Sequence, residues 1–139
     1  MEAYCMSWKY IMIHCTATPA ERELTVADID RYHRERGFKS IGYHFVIHQD
    51  GRIEEGRSLT QKGAHCYGWN SSAIGIAYVG GLDKEGNPAD TRTEAQKVAI
   101  RELVRRLCTL IEIKRVLGHN EVSDKACPCY DVRKENFEF

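Results

Sequence analysis

The stretch Lys9-Tyr10-Ile11-Met12-Ile13-His14-Cys15 decides the fold. Its apolar residues run nearly without interruption, the pattern of a central strand covered on both faces, as in a parallel sheet. Ala73-Ile74-Gly75-Ile76-Ala77-Tyr78-Val79, stopped by Gly80-Gly81, repeats the pattern, and Arg115-Val116-Leu117-Gly118 gives a shorter version. Helical periods lie between these runs. Thr25 reads as an N-cap, with Val26, Ile29, Tyr32 and His33 as an inward stripe and Gly37 as the stop. Thr93-Glu94-Ala95-Gln96 has the form of a capping box. It opens a helix to about Glu112, with Ala95, Val98, Ala99, Leu103, Leu107, Leu110 and Ile111 expected to face the core. Gly42 to His48 reads as a strand, Asp50-Gly51 as a hairpin turn, and Arg52 to Glu55 as the returning strand. Asp131 is placed to cap a short helix in the tail. Strands alternating with helices predict an α/β domain, a single one over residues 1–139, with a mixed central sheet of about five strands flanked by helices.

His14 and His119 each end a predicted strand, and open α/β sheets place their sites at the carboxyl ends of strands. For Tyr43, at the start of its strand, to approach the same place, that strand must run opposite to the first. The hairpin then makes Arg52 to Glu55 parallel again, so a sheet with one antiparallel strand is expected. The glycine- and polar-rich stretch Gly56 to Ser72 is too long for a simple connection and is a candidate functional loop.

The chain has 139 residues, with twenty basic residues against twenty acidic. That balance argues against a general binder of nucleic acid or of anionic membranes. No segment has the roughly 18 apolar residues of a membrane span. Met1-Glu2-Ala3-Tyr4-Cys5-Met6 lacks the basic and apolar regions of a signal peptide, which predicts a cytoplasmic protein as synthesised. The six cysteines contain no C-x-x-C pair, and a reducing compartment disfavours disulfides among them.

Two imidazoles and a thiolate, from His14, His119 and Cys127, make a borderline-soft donor set that suits zinc (Zn2+). Three protein ligands leave a fourth position for water, as catalytic sites do. Dispersed histidines and cysteines are also ordinary core residues, so these three need a further pattern to tie them together.

That pattern is present. Ile13-His14-Cys15-Thr16-Ala17-Thr18, Gly42-Tyr43-His44-Phe45, Asp50-Gly51, Gly63-Ala64-His65, Asn70-Ser71-Ser72-Ala73-Ile74-Gly75-Ile76, Gly118-His119-Asn120-Glu121 and Lys125-Ala126-Cys127-Pro128 occur in one order. In that order the chain resembles the type 2 N-acetylmuramoyl-L-alanine amidases, the group of short phage amidase lysozymes and peptidoglycan recognition proteins, from about Tyr10 to Val132. The resemblance implies zinc on His14, His119 and Cys127, and a catalytic centre that includes Tyr43 and Lys125. It implies hydrolysis of the amide between N-acetylmuramic acid and L-alanine in bacterial peptidoglycan, as in a phage or prophage endolysin. Family members that replace the cysteine are commonly binders only, so Cys127 implies an enzyme; a non-catalytic peptidoglycan-binding module is the alternative.

Lys125, two residues from a ligand, is placed to stabilise an oxyanion, and Tyr43 to orient water, donate to the oxyanion or transfer a proton. His65, Trp69 and Asn70, in the long loop, are expected to touch substrate, with Tyr67 beside them. His33, His44 and His48 read as structural; Cys129 either competes with Cys127 for the metal or packs nearby, and the family resemblance favours Cys127 as the ligand. A monomer is expected, with peptidoglycan as its partner and a separate permeabilising factor giving access to the wall.

Overall fold

The computed structural model describes residues 6–137; Met1 to Cys5, which carry most of the stretch read for a leader, lie outside them. In chain order the elements are β1 (Tyr10–Cys15), β2 (Thr18–Pro19), α1 (Val26–Glu35), β3 (Phe45–Ile47), β4 (Ile53–Glu55), β5 (Ala73–Tyr78), β6 (Gly81–Leu82), α2 (Glu94–Leu110) and β7 (Arg115–Gly118). A short 3-10 turn covers His119–Glu121, and another, capped by Asp131 as expected, covers Val132–Lys134.

Five strands form one mixed sheet in the order β4-β3-β5-β1-β7. β1 lies between β5 and β7 and is parallel to both, and β5 is parallel to β3. Among the described residues the one antiparallel strand of this sheet is β4, joined to β3 by the Asp50-Gly51 turn. The sheet is therefore mixed as expected, but the reversed strand is not the one that Tyr43 precedes. β3 runs with β1, and Tyr43 reaches His14 over the face of the sheet rather than from a strand tip. β2 and β6 pair as a separate two-stranded ribbon, too short to be read from residue pattern.

Register separates the two faces. Ile11, Ile13 and Cys15 of β1 align with Ile74, Ile76 and Tyr78 of β5, and all six pack in one cluster with Ala99, Ile100, Leu103, Val104 and Leu107 of α2. Met12 and His14 point to the opposite face, beside Gly75 and Ala77. On that face Val46 packs against Ile29 of α1 and Leu24. The long loop from Gly56 to Ser72 contains no helix or strand and folds back across this second face.

Both helices start at the expected caps. Thr25 and Asp28, and Thr93 and Gln96, each form a reciprocal capping box. The inward stripes differ from the expected ones. Tyr32 is 40% exposed, and α2 buries Gln96, Ala99, Ile100, Leu103, Val104 and Leu107 while Val98 and Leu110 face out. No helix among the described residues is long and apolar enough to cross a membrane.

Candidate metal centre

β1 and β7 are adjacent and parallel, so the residues at their carboxyl ends meet. His14 is the penultimate residue of β1, and His119 follows the last residue of β7. Cys127 arrives from the segment beyond the 3-10 turn, where the Cys15 backbone N–H donates to its Sγ at 3.2 Å. One donor atom from each of His14, His119 and Cys127 lies within 4.8 Å of the other two. The imidazoles of His14 and His119 are 4.7 Å apart between ring centres, and Cys127 Sγ is 3.7 Å from His14 Nδ1.

Three observations bear on whether this set fits a metal. His119 Nδ1 is buried with no hydrogen-bond partner, which is costly for a ring nitrogen unless something else binds there. Burial first, then the charges of neighbouring groups, holds the His14 pKa well below its ordinary value; burial and Lys125 lower that of His119. Neutral imidazoles are the form that binds metal. The thiol of Cys15 and its backbone N–H donate to Cys127 and pull its pKa down, against the burial that raises it. The residues fit a zinc-type ion.

The cleft over this centre has a volume of about 690 Å³ and opens to solvent. His33, Arg36, Phe38 and Tyr43 line one part of it, Ala64 to Tyr67 and Asn70 another, and Val122, Ser123 and Lys125 a third. Among the described residues the lining contains no carboxylate, and its two cations, Arg36 and Lys125, have no carboxylate partner. The Tyr43 ring lies 5.4 Å from that of His14 and 5.3 Å from that of His33. Burial, with the nearby Cys127 and Cys15 thiols, pushes the phenol pKa well up, so it stays protonated. Lys125 is exposed at the rim, and its charge reaches His14, His119 and Cys127.

The loop residues divide. His65 sits on the floor of the cleft, its Nδ1 2.9 Å from His14 Nε2 and its Nε2 2.9 Å from the Ala73 carbonyl. Asn70 turns its side-chain oxygen away from solvent and accepts from the backbone N–H groups of His65 and Cys66. Trp69 does not line the cleft; its indole packs edge-on against Tyr10, 5.1 Å away, beside Met12, Ala73 and Leu117. Tyr67, 99% exposed, is the aromatic residue of this loop at the cleft.

Of the histidines read as structural, His44 accepts from Gly75 N–H and donates to the Gln61 carbonyl, and His48 meets Glu54 at 2.8 Å. His33 accepts from Gly42 N–H while also lining the cleft. Cys129 stands outside the donor set, 3.9 Å from Cys15 Sγ and donating to the Gly81 carbonyl. Arg36 and the Cys15 N–H went unnoticed in the sequence. Neither has a signal there: one is a polar helix end, the other a backbone group.

A His-His-Cys donor set under an open cleft, at the carboxyl ends of parallel strands, is the arrangement of an α/β protein able to hold a metal ion. The family model for N-acetylmuramoyl-L-alanine amidase matches residues 4–130. The endolysin of Klebsiella phage KP32 is 39% identical over 124 residues, 89% of this chain and 82% of the relative. The solved amidase LysC from Clostridium intestinale URNW superposes with a TM-score of 0.78 at 31% identity, covering 88% of this chain and 77% of that one. Peptidoglycan recognition protein LE, solved in complex with tracheal cytotoxin, a monomeric diaminopimelic acid-type peptidoglycan, gives 0.75 at 27% identity, covering 90% and 76%. The chain belongs to the N-acetylmuramoyl-L-alanine amidase family, and its relatives place it with the endolysin-like enzymes.

Proposed function

We propose that this chain is a zinc-dependent amidase that cleaves the bond between N-acetylmuramic acid and L-alanine in bacterial peptidoglycan. The observation that carries the reading is the convergence of His14, His119 and Cys127 on the floor of an open cleft whose walls hold Tyr43 and Lys125. Zinc on those three donors would supply a water of lowered pKa and polarise the scissile carbonyl.

The chain's own side chains account for the rest. Tyr43, kept protonated by burial, acts as a hydrogen-bond donor toward the developing oxyanion rather than as a base. Lys125, which lines the same cleft, adds positive charge where the transition state carries more negative charge than the ground state. A cleft lined by Arg36 and Lys125 without a carboxylate complements the stem peptide, which bears free carboxylates. The enzyme is proposed to act as a monomer. Access to the wall from the cytoplasm is left to a separate permeabilising factor.

The test is release of new L-alanine amino termini from purified peptidoglycan by the zinc-loaded protein, repeated after chelation. Release that chelation abolishes and zinc restores is expected. Binding to peptidoglycan without release would overturn the amidase reading in favour of a binding module.

A further inference from the structure

The Ala73 carbonyl only accepts, so the ring nitrogen facing it at 2.9 Å, Nε2 of His65, carries a hydrogen. In a neutral imidazole the other nitrogen is then a lone pair, so His65 Nδ1 is an acceptor. The atom facing it at 2.9 Å, Nε2 of His14, must be the donor. By the same rule His14 Nδ1 carries no hydrogen, and Nδ1 is the atom that faces Cys127 Sγ. A backbone carbonyl of β5 thus sets, through two rings, which nitrogen of His14 points a lone pair at the metal centre.

The fold around His65 is shaped to hold this ring. A Cβ on Gly75 would come within 2.7 to 2.9 Å of it, and a Cβ on Gly63 within 2.5 Å, so both glycines are places where the ring needs the room. Asn70 anchors the loop by accepting from His65 N–H at 2.8 Å and Cys66 N–H at 2.9 Å. Both ring nitrogens of His65 are occupied, which leaves neither for substrate.

We propose that His65 is a positioning residue: it locks His14 as the Nε2–H tautomer and so presents His14 Nδ1 to the metal. This extends the reading of His14, His119 and Cys127 as ligands, and it assigns to His65 a role other than contact with the substrate. Outer partners of this kind orient a ligand ring and raise its basicity, and losing one typically weakens metal affinity by about 10–100-fold. Here the partner is itself a histidine, fixed by a backbone carbonyl.

The experiment begins with the unaltered protein, metal-free, with 15N-labelled histidine. Multiple-bond 15N–1H correlation at pH 7.5 distinguishes the two tautomers of each ring. His14 and His65 are both expected as Nε2–H, and zinc titration should shift Nδ1 of His14 while its Nε2 keeps its proton. Finding His14 as Nδ1–H, or as a mixture of tautomers, overturns the proposal. The second arm measures zinc affinity by chelator competition. His65→Ala should bind zinc about 10–100-fold more weakly, and His65→Gln, whose amide oxygen can accept from His14, should recover part of the loss. Equal affinity in His65→Ala and the unaltered protein also overturns it. Neither arm uses peptidoglycan, so failure of the amidase assay and failure of this proposal are separate results.

Discussion

Cys15, Cys127 and Cys129 lie within reach of one another, yet their chemistry differs. Cys127 accepts from the Cys15 backbone N–H at 3.2 Å, with its Sγ 3.8 Å from the Cys15 carbonyl, and the Cys15 donors lower its pKa, which favours the thiolate. Cys129 donates to the Gly81 carbonyl at 3.4 Å, and burial beside Cys15 pushes its pKa up to about 12. A thiol held protonated is a poor metal ligand. Metal analysis after dialysis against zinc should therefore find Cys127→Ser depleted and Cys129→Ser loaded like the parent protein; equal loss in both would make the assignment of Cys127 wrong. Two thiols separated by one proline are indistinguishable in the sequence, and only the family resemblance favoured Cys127 before the donors around each were seen. Lys125 is the contrasting case. It lies near the proposed ligands and is not among them, so on the proposed mechanism Lys125→Ala should retain zinc while turnover falls by about 10²-fold, the usual effect of removing one oxyanion-stabilising group. Unchanged turnover in that variant would remove Lys125 from the catalytic centre.

At the scale of elements, the helix α2 shows what residue pattern reveals and what it hides. Its start at Thr93 was legible because a capping box is a local device, formed by residues three apart. Its inward face was not, because the expected stripe took apolar residues as the guide and left Gln96 outside. Gln96 is fully buried: its Oε1 accepts from Thr93 N–H, and its Nε2 donates to the carbonyls of Ile47 and Val79. Those carbonyls lie at and just beyond the ends of β3 and β5, so a polar side chain ties the helix to both strands, and Val98 turns out to solvent. Gln96→Met keeps the volume but removes the donors and the cap. It should destabilise the protein by about 1–3 kcal/mol, read as a lower urea midpoint, and an unchanged midpoint would mean that the two carbonyls do not depend on Gln96. The direction of β3 was misread for a similar reason. Its reversal was inferred by asking Tyr43 to stand at a strand tip, whereas a tyrosine crossing the sheet face needs no such orientation. The buried strands β1, β5 and β7 were legible because continuous apolar runs have few other uses.

Across the whole molecule, the folded state depends on histidines that have to stay neutral. His33 Nδ1 accepts from Gly42 N–H at 2.8 Å, and His44 Nδ1 accepts from Gly75 N–H at 3.1 Å. Protonating either nitrogen would set one donor against another, and burial is the main reason both rings have pKa values below the ordinary 6.5. His65, by burial, falls further, to about 4, and His14 is also lowered. A lowered folded-state value means that the unfolded chain takes up protons first as pH falls. Their stabilising contribution is therefore complete above about pH 6.5 and is lost progressively as pH drops from there toward the folded-state values. Carboxylates act in a lower window. Asp30, whose oxygens accept from Arg34 and from Ile41 N–H, has a pKa below its ordinary 3.8, so its contribution is present above that value and is lost only as pH falls through the folded one. Between pH 7 and pH 5 the slope belongs to the histidines. The urea midpoint of the metal-free protein should fall steadily over that interval, with zinc removed so that competition between metal and protons does not contribute. His33→Gln offers an amide oxygen to the same Gly42 N–H but does not titrate, so it should flatten part of the slope. A level profile in the parent protein, or a slope in His33→Gln as steep as the parent's, would mean that His33 titrates alike in the folded and unfolded chains.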